Sequence, residues 1–332
     1  MPIVVAAPDK FRGTASADEV TLAVERAAIE QGWTCVRRPM ADGGEGTLSV
    51  LGGANRTTTV TGPLGDPVEA RWRLSGRTAV IEMAEASGLA LVGDDNDPVA
   101  ASTYGTGELI TAAVEAGATR IVVGVGGSAT TDGGLGAIRA LYPNRLRGLE
   151  LIVACDVRTL FTDAAPRFGP QKGASDKQVE LLRRRLERLI QVYRDEYGVD
   201  VSEMEGAGAA GGLAGGLAAI GARLMSGFEL VSEECDLIAD IERADLVVTG
   251  EGFVDEESFD GKVVGGIIDI CAETGVDVFV IAGEFFDGIA GSFDGVSLVE
   301  RYGDDRARND TLACITEVVG ERLARHVVPT AP

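Results

Sequence analysis

The sequence predicts an α/β protein of two α/β domains: a discontinuous Rossmann-like domain with a parallel sheet, built from both ends of the chain, and a second mixed α/β domain inserted between its halves. Three observations point there. Short β-type runs alternate with helical periods near both termini. Between Arg56 and Met83 the pattern changes to successive β-rich runs separated by turn residues. The 332 residues also exceed the ~100–200 that one domain usually takes up. The expected domains are 1–60 with 235–332, and 61–234.

The elements follow in order. Ile3 to Ala7 is a strand, and Ser16 to Gln31 has helical spacing, with Ser16 as N-cap and Glu19 three residues on forming a capping box. A second strand, Thr34 to Arg38, runs into the loop Ala41 to Gly46, after which Thr47 to Leu51 reads as helical. Thr57 to Val60, Val68 to Leu74 and Thr78 to Met83 fit antiparallel hairpins, because Gly62 to Pro67 and Ser75-Gly76 are turn sequences. Alternation then returns: a helix from about Gly107 to Ala116, a strand Arg120 to Val125, a helix from about Gly134 to Leu141 and a strand Glu150 to Cys155. Asp176 to Arg194 is a long charged helix, and Gly206 to Met225 a Gly/Ala-rich one whose small residues permit close backbone approach. Asp245 to Thr249, Val264 to Cys271, Val278 to Ala282, Val296 to Val299 and Asn309 to His326 read strand, helix, strand, strand, helix, as the first 55 residues do in type.

Composition excludes several functions. The net charge of −22 opposes nucleic acid and anionic membrane, both of which are bound chiefly through Lys and Arg, so a small-molecule partner is favoured. No apolar run approaches the ~20 residues of a membrane span, and the start lacks a basic signal region, so a soluble, cytoplasmic protein is expected. The five cysteines are widely spaced without a CxxC, which suggests neither a disulfide framework nor a zinc site. A single histidine, His326, argues against a Ser/His/Asp or Cys/His hydrolase and leaves general-base work to a carboxylate. Of the 30 basic residues only Lys10, Lys172, Lys177 and Lys262 are lysines, and three of the four lie in motif-like or Gly-flanked segments.

The 45 glycines, about twice the average share, gather at the ends of the expected strands, where ligands sit in open α/β sheets. The clusters are Pro8 to Gly13, Ala41 to Thr47, Gly126 to Gly134, Gly169 to Gly173 and Thr249 to Gly252. Glycine loops entering helices offer backbone N–H groups to phosphate or carboxylate oxygens. Neither GxxxxGK[ST] nor GxGxxG after the first strand occurs. Each cluster carries an acid or a lysine: Asp9 with Lys10, Asp42 with Glu45, Asp132, Lys172, and Glu251 with Asp255 nearby. Phosphoryl transfer needs that combination, because carboxylates hold Mg²⁺ or orient a hydroxyl while cations and N–H groups neutralise the moving phosphoryl.

Taken together, the segments APDKFRGTASADEV (7–20), PMADGGEGT (39–47), EMAEASGLAL (82–91), STYGTGELI (102–110), GVGGSATTDGGLG (124–136), VACDV (153–157), FGPQKGA (168–174), GAGAAGGLAGGL (206–217) and DLVVTGEGFVD (245–255) resemble the type I glycerate kinase family over nearly the whole chain. The resemblance implies ATP- and Mg²⁺-dependent phosphorylation of D-glycerate to 2-phosphoglycerate, on two α/β domains with the active site in the cleft. On the matched motifs, Asp156, Asp42, Lys172 and Lys262 become catalytic candidates, with Asp156 preferred over Asp42 as base. Asp9, Lys10, Arg12, Gly43, Gly44, Glu45, Gly127, Ser128, Thr130, Asp132 and Glu251 become substrate or phosphate contacts, and Asp42 and Glu251 metal ligands. Alternatives are a kinase for a related small hydroxy acid, one forming 3-phosphoglycerate, and a silent paralogue that binds glycerate or nucleotide. Sequence physics leaves the attacked hydroxyl and the oligomeric state open.

The chain departs from the family pattern in places. The family's opening is closer to APDSFKG, so Lys10 and Arg12 shift the lysine by two positions. The connection from Leu141 to Leu151 is short, Arg158 to Thr162 replaces an Asn-Pro-Leu signature, Glu257 stands where Gln is usual and Val264 where Pro is common.

Overall fold

The structure is a computed structural model that describes residues 1–141, 148–259, 262–286 and 293–326. The side chain of Glu257 and most of the short 141–151 connection lie outside the described residues. The chain divides into two units, Met1–Asp42 with the segment from Phe228 onward, and Gly43–Gly227. These limits differ from the expected boundaries at 60 and 235. Residues 56–61 form a strand whose partner is 67–75, so pairing draws the whole of 43–60 into the second unit.

In the first unit, strands β1 (Ile3–Ala6), β2 (Thr34–Arg37), β9 (Leu246–Val254), β10 (Val278–Phe285) and β11 (Gly295–Ser297) form a five-stranded sheet in the order β11-β10-β9-β1-β2. Every pairing is parallel, with Val4 opposite Leu246 and Cys35, and Phe279 opposite Val248. Within the unit this is the 2-1-3-4-5 order of a doubly wound sheet, whose direction of winding reverses between β1 and β9. The helix Ala17–Glu30 begins at the expected capping box: Ser16 Oγ accepts from Glu19 N, and Glu19 accepts from Ser16 N at 2.9 Å. Its buried face, Val20, Ala23, Val24, Ala27 and Ala28, shares a core with Cys314, Ile315, Val318 and Val319 of the helix Thr311–Arg325.

In the second unit, β3 (Arg56–Thr61), β4 (Pro67–Ser75), β5 (Thr78–Glu82), β6 (Arg120–Gly124), β7 (Glu150–Ala154) and β8 (Arg223–Met225) lie in chain order. The β3/β4 and β4/β5 pairs are antiparallel, as the hairpin pattern predicts, and the rest are parallel. Burial on both faces explains why β6 and β7 read as continuous apolar runs.

Two expectations are corrected. The strand expected to end at Thr249 continues through Gly250, Glu251 and Gly252 to Val254, because β10 keeps pairing with it as far as Phe285. Glu251 therefore stands on a strand, not in a loop. The helix expected over Gly206 to Met225 is shorter, Ala209–Ala219, and Ala210, Gly211 and Gly212 within it are left-handed. Crowding accounts for the glycines there, since a Cβ on Gly211 would lie 2.0 Å from the Thr130 carbonyl oxygen.

Candidate functional site

In the first unit the chain leaves β1 through Ala7-Pro8-Asp9, anchored by Asp9 N on Gly250 O at 2.9 Å and by the Thr249 hydroxyl on Ala7 O at 2.8 Å. Reciprocal Phe11–Ala15 hydrogen bonds close the next turn. Gly252 lets this turn lie against β9: a Cβ there would sit 3.0 Å from Arg12 N and 3.2 Å from Phe11 Cα. The result is a cavity of about 340 Å³ at the carboxyl ends of β1 and β9, where the winding reverses and ligands bind in such sheets. Asp9, Lys10, Arg12, Asp42, Glu251 and Lys262 all line it. Six sequence-predicted candidates, spread over 254 positions, therefore meet in one place.

The charges there are closely set. Lys10 Nζ is 3.9 Å from Asp9 Oδ1 and 3.8 Å from Asp42 Oδ1, and Asp9 Oδ1 also accepts from Lys10 N at 2.6 Å. Burial, reinforced by Asp42, raises the Asp9 carboxyl to about 6 against the pull of Lys10. Burial likewise raises Glu251 to about 7; a Ser258 hydrogen bond and Lys262 oppose the shift, while Asp9 and Asp42 add to it. Glu251 Oε1 is buried and has no hydrogen-bond partner. A desolvated acceptor beside two further carboxylates suits a cation brought in by a ligand.

The second unit gathers the other candidates at the carboxyl ends of its parallel strands. Gly43 and Gly44 approach β6 and β7 so closely that a Cβ on Gly43, at φ +83°, would lie 2.9 Å from the Ala154 carbonyl. One on Gly126 would lie 2.6 Å from Gly44 Cα and 2.9 Å from Glu45 N. The amides entering the short helix Thr47–Val50 are already engaged: Glu82 accepts from Gly46 N at 3.0 Å and Leu48 N at 2.7 Å.

The Gly126–Gly134 loop is held in the same manner. Asp132, expected among the phosphate contacts, instead accepts from Gly134 N, Gly136 N and Thr103 N at 3.0, 3.2 and 2.9 Å. Its carboxylate occupies the start of the helix Leu135–Leu141, where an anion was expected. Gly127 O accepts from Leu89 N, and Ser128 bridges to Gly88. Lys172 is only 3% exposed and donates from Nζ to Ser128 Oγ at 2.8 Å and Thr130 O at 2.6 Å. Burial lowers its ammonium to about 7, against the pull of Asp132. Asn96 ties Ala129 O to Lys172 O, and the Tyr193 hydroxyl holds Gly133 O at 2.8 Å. The Thr130 and Thr131 hydroxyls are buried without a partner. Asp156, just after β7, accepts from Gly227 N at 2.9 Å and the Ser226 hydroxyl at 3.2 Å.

The sequence reading missed Glu82 and Asn96, which organise these loops, and Phe253, which lines the first unit's cavity. Glu82 closes an apolar β-run, and a carboxylate at a strand end is a detectable signal. Phe253 lies two residues beyond Glu251, so the period of an extended strand would have placed both on one face.

An acidic pocket that also carries Lys10, Arg12, Lys262 and Arg308 at a winding reversal, and a separate glycine loop pinned by a buried lysine, define the class of a phosphotransferase. Comparison with known proteins gives the family. The model of the Glycerate kinase family matches residues 4–143 and 142–299. The glycerate 2-kinase of Escherichia coli (strain K12) is 40% identical over 345 residues, spanning 91% of this chain and 88% of that protein. The glycerate kinase of Bacillus subtilis (strain 168) is 39% identical, with 84% of each chain covered. A crystal structure from Salmonella typhimurium LT2, described as a glycerate kinase 2, superposes with a TM-score of 0.81 at 34% identity, covering 97% of this chain and 96% of that one. The chain belongs to the glycerate kinase family.

No helix among the described residues is long and apolar enough to cross a membrane.

Proposed function

We propose that this chain transfers the γ-phosphoryl group of ATP to the 2-hydroxyl of D-glycerate, giving 2-phosphoglycerate and ADP. The observation that carries the reading is the convergence of Asp9, Lys10, Arg12, Asp42, Glu251 and Lys262 on one cavity at the winding reversal. The relatives' names supply the substrate and the position attacked.

Mg²⁺ fits this residue set. Among the described residues no group of three or more His, Cys, Asp or Glu is placed to hold a metal alone, which disfavours an all-protein cage. Mg²⁺ on a nucleotide takes only one or two carboxylates, with waters and phosphate oxygens supplying the rest. Glu251, with its buried acceptor oxygen, and Asp42 would hold it. Bound there, the ion would neutralise charge on the β- and γ-phosphates.

Lys10, Arg12 and Lys262 carry positive charge to the cavity and would bind the phosphates. Asp156, with one oxygen fixed by Gly227 N–H and Ser226, is the base we assign. It accepts the glycerate hydroxyl proton as the oxygen bonds to the γ-phosphorus and the bond to the β-phosphate oxygen breaks. Lys172 acts through Ser128 and Thr130, so it is a positioning residue for the Gly126–Gly134 loop.

Incubation with ATP, Mg²⁺ and D-glycerate, followed by phosphorus NMR, tests the reading. A 2-phosphoglycerate resonance is expected. A 3-phosphoglycerate resonance would overturn the regiochemistry, and the absence of either product the substrate.

A further inference from the structure

The first unit's cavity is not charged throughout. Phe253 lines it on the same β9 face as Glu251, two residues farther along the strand, and Val299, Ala307 and Thr311 line it as well. Phe253 is 48% exposed, Phe286 is 52% exposed, and no other described phenylalanine is exposed. Their rings meet edge to face, with centroids 6.5 Å apart and planes at 70°. An edge contact braces an aromatic ring while leaving its face open. Glu284, opposite Phe253 on β10, and Arg308 also line the cavity, so a ligand fitting it is polyanionic at one end and carries, at the other, a flat ring with polar edges. Its volume of about 340 Å³ lies within the usual range of small-molecule sites.

We infer that Phe253, braced by Phe286, is the platform on which the adenine base of the nucleotide stacks, with the phosphates turned toward Lys10, Arg12 and Lys262. Two residues of strand separate Phe253 from Glu251 by about 7 Å, the scale of a ribose. The same strand thereby sets the base at one point and the phosphate end at another. Phe253 supplies stacking to the base and contributes nothing to glycerate. This rests on the proposed use of ATP.

Calorimetry of ADP and of inorganic tripolyphosphate, each with Mg²⁺, on the full chain and on Phe253→Ala and Phe253→Trp tests it. ADP affinity is expected to fall about ten- to hundredfold in Phe253→Ala, the range that stacking a base on an aromatic side chain supplies. Tripolyphosphate affinity stays within about twofold, because it has no base to stack. Phe253→Trp retains ADP binding, which separates loss of the platform from misfolding. The KM for D-glycerate should not move. Equal weakening of both ligands, or no change in either, overturns the platform. So does a change in sedimentation from dimer to monomer with ADP affinity intact, which would make the ring pair an interface between copies. A wild-type chain that binds neither ligand overturns the nucleotide reading itself. One that forms phosphoglycerate from ATP while Phe253→Ala keeps full ADP affinity overturns only the platform.

Discussion

The cavity of the first unit and the lysine loop of the second treat charge in opposite ways. In the cavity, Asp9, Asp42 and Glu251 crowd together, and burial with mutual repulsion raises Asp9 and Glu251 well above the usual carboxylate range. In the loop, one buried ammonium, with Asp132 as its charged neighbour, donates to a hydroxyl and a carbonyl of the same chain. The cavity's charges lie side by side around a volume of about 340 Å³, whereas Lys172 holds a backbone in place. A charged residue in a glycine-rich segment can therefore serve either role, and only its partners distinguish them.

Replacing Glu251 by Gln should have the largest effect, cutting glycerate-dependent ADP release by about 10²–10³, because a cation-holding carboxylate acts directly on the developing charge. Activity within twofold of wild type would remove the first unit's cavity from the chemistry. Lys172→Met should lower kcat less, by about ten- to hundredfold, through a misplaced loop, while ADP affinity measured by calorimetry stays unchanged. A weakened ADP affinity would erase the distinction between the two regions.

Gly43→Ala tests how tightly the second unit's loops are drawn onto its strands. It forces a left-handed backbone and a Cβ 2.9 Å from Ala154, so urea denaturation should show a loss of about 1–3 kcal/mol.

The contrast also has a pH signature. The Lys172 ammonium falls from 10.5 to about 7 on folding, so between those values the unfolded chain holds a proton that the folded chain has released. Stability from this group therefore rises with pH across that window, and the cost of burying the charge is full below about 7. Melting wild type and Lys172→Met at about pH 6.5 and about pH 9 should shift the Tm difference toward wild type by a few degrees at the higher pH. A pH-independent difference would show that Lys172 is not desolvated. Ser16→Ala, which removes only the capping box, should cost about 1 kcal/mol in urea denaturation and leave activity within about twofold.

Much of this was legible in the residues. The capping box at Ser16 and Glu19, the antiparallel runs before Met83 and the return to alternation afterwards all act over a few positions, where spacing alone carries the signal. The grouping of Asp9, Lys10, Asp42, Glu251 and Lys262 as site candidates was legible too, through their motifs. Their actual meeting was not, because it depends on β1 pairing with β9 across more than 240 positions. Nor was the state of the Ala41–Thr47 loop, since nothing local reveals that Glu82 reaches Gly46 and Leu48.

By itself the sequence determined the α/β class, the main strands and helices, and which acids and lysines are candidates, because periodicity, capping and side-chain chemistry are properties of short segments. Tertiary structure decided that β9 runs on to Val254, that Phe253 joins Glu251 on one cavity, and that Lys172 reaches Ser128 and Thr130 in the distant Gly126–Gly134 loop. Those outcomes depend on which distant strand supplies hydrogen bonds and which backbone lies within reach of a side chain. No short window of residues contains that information.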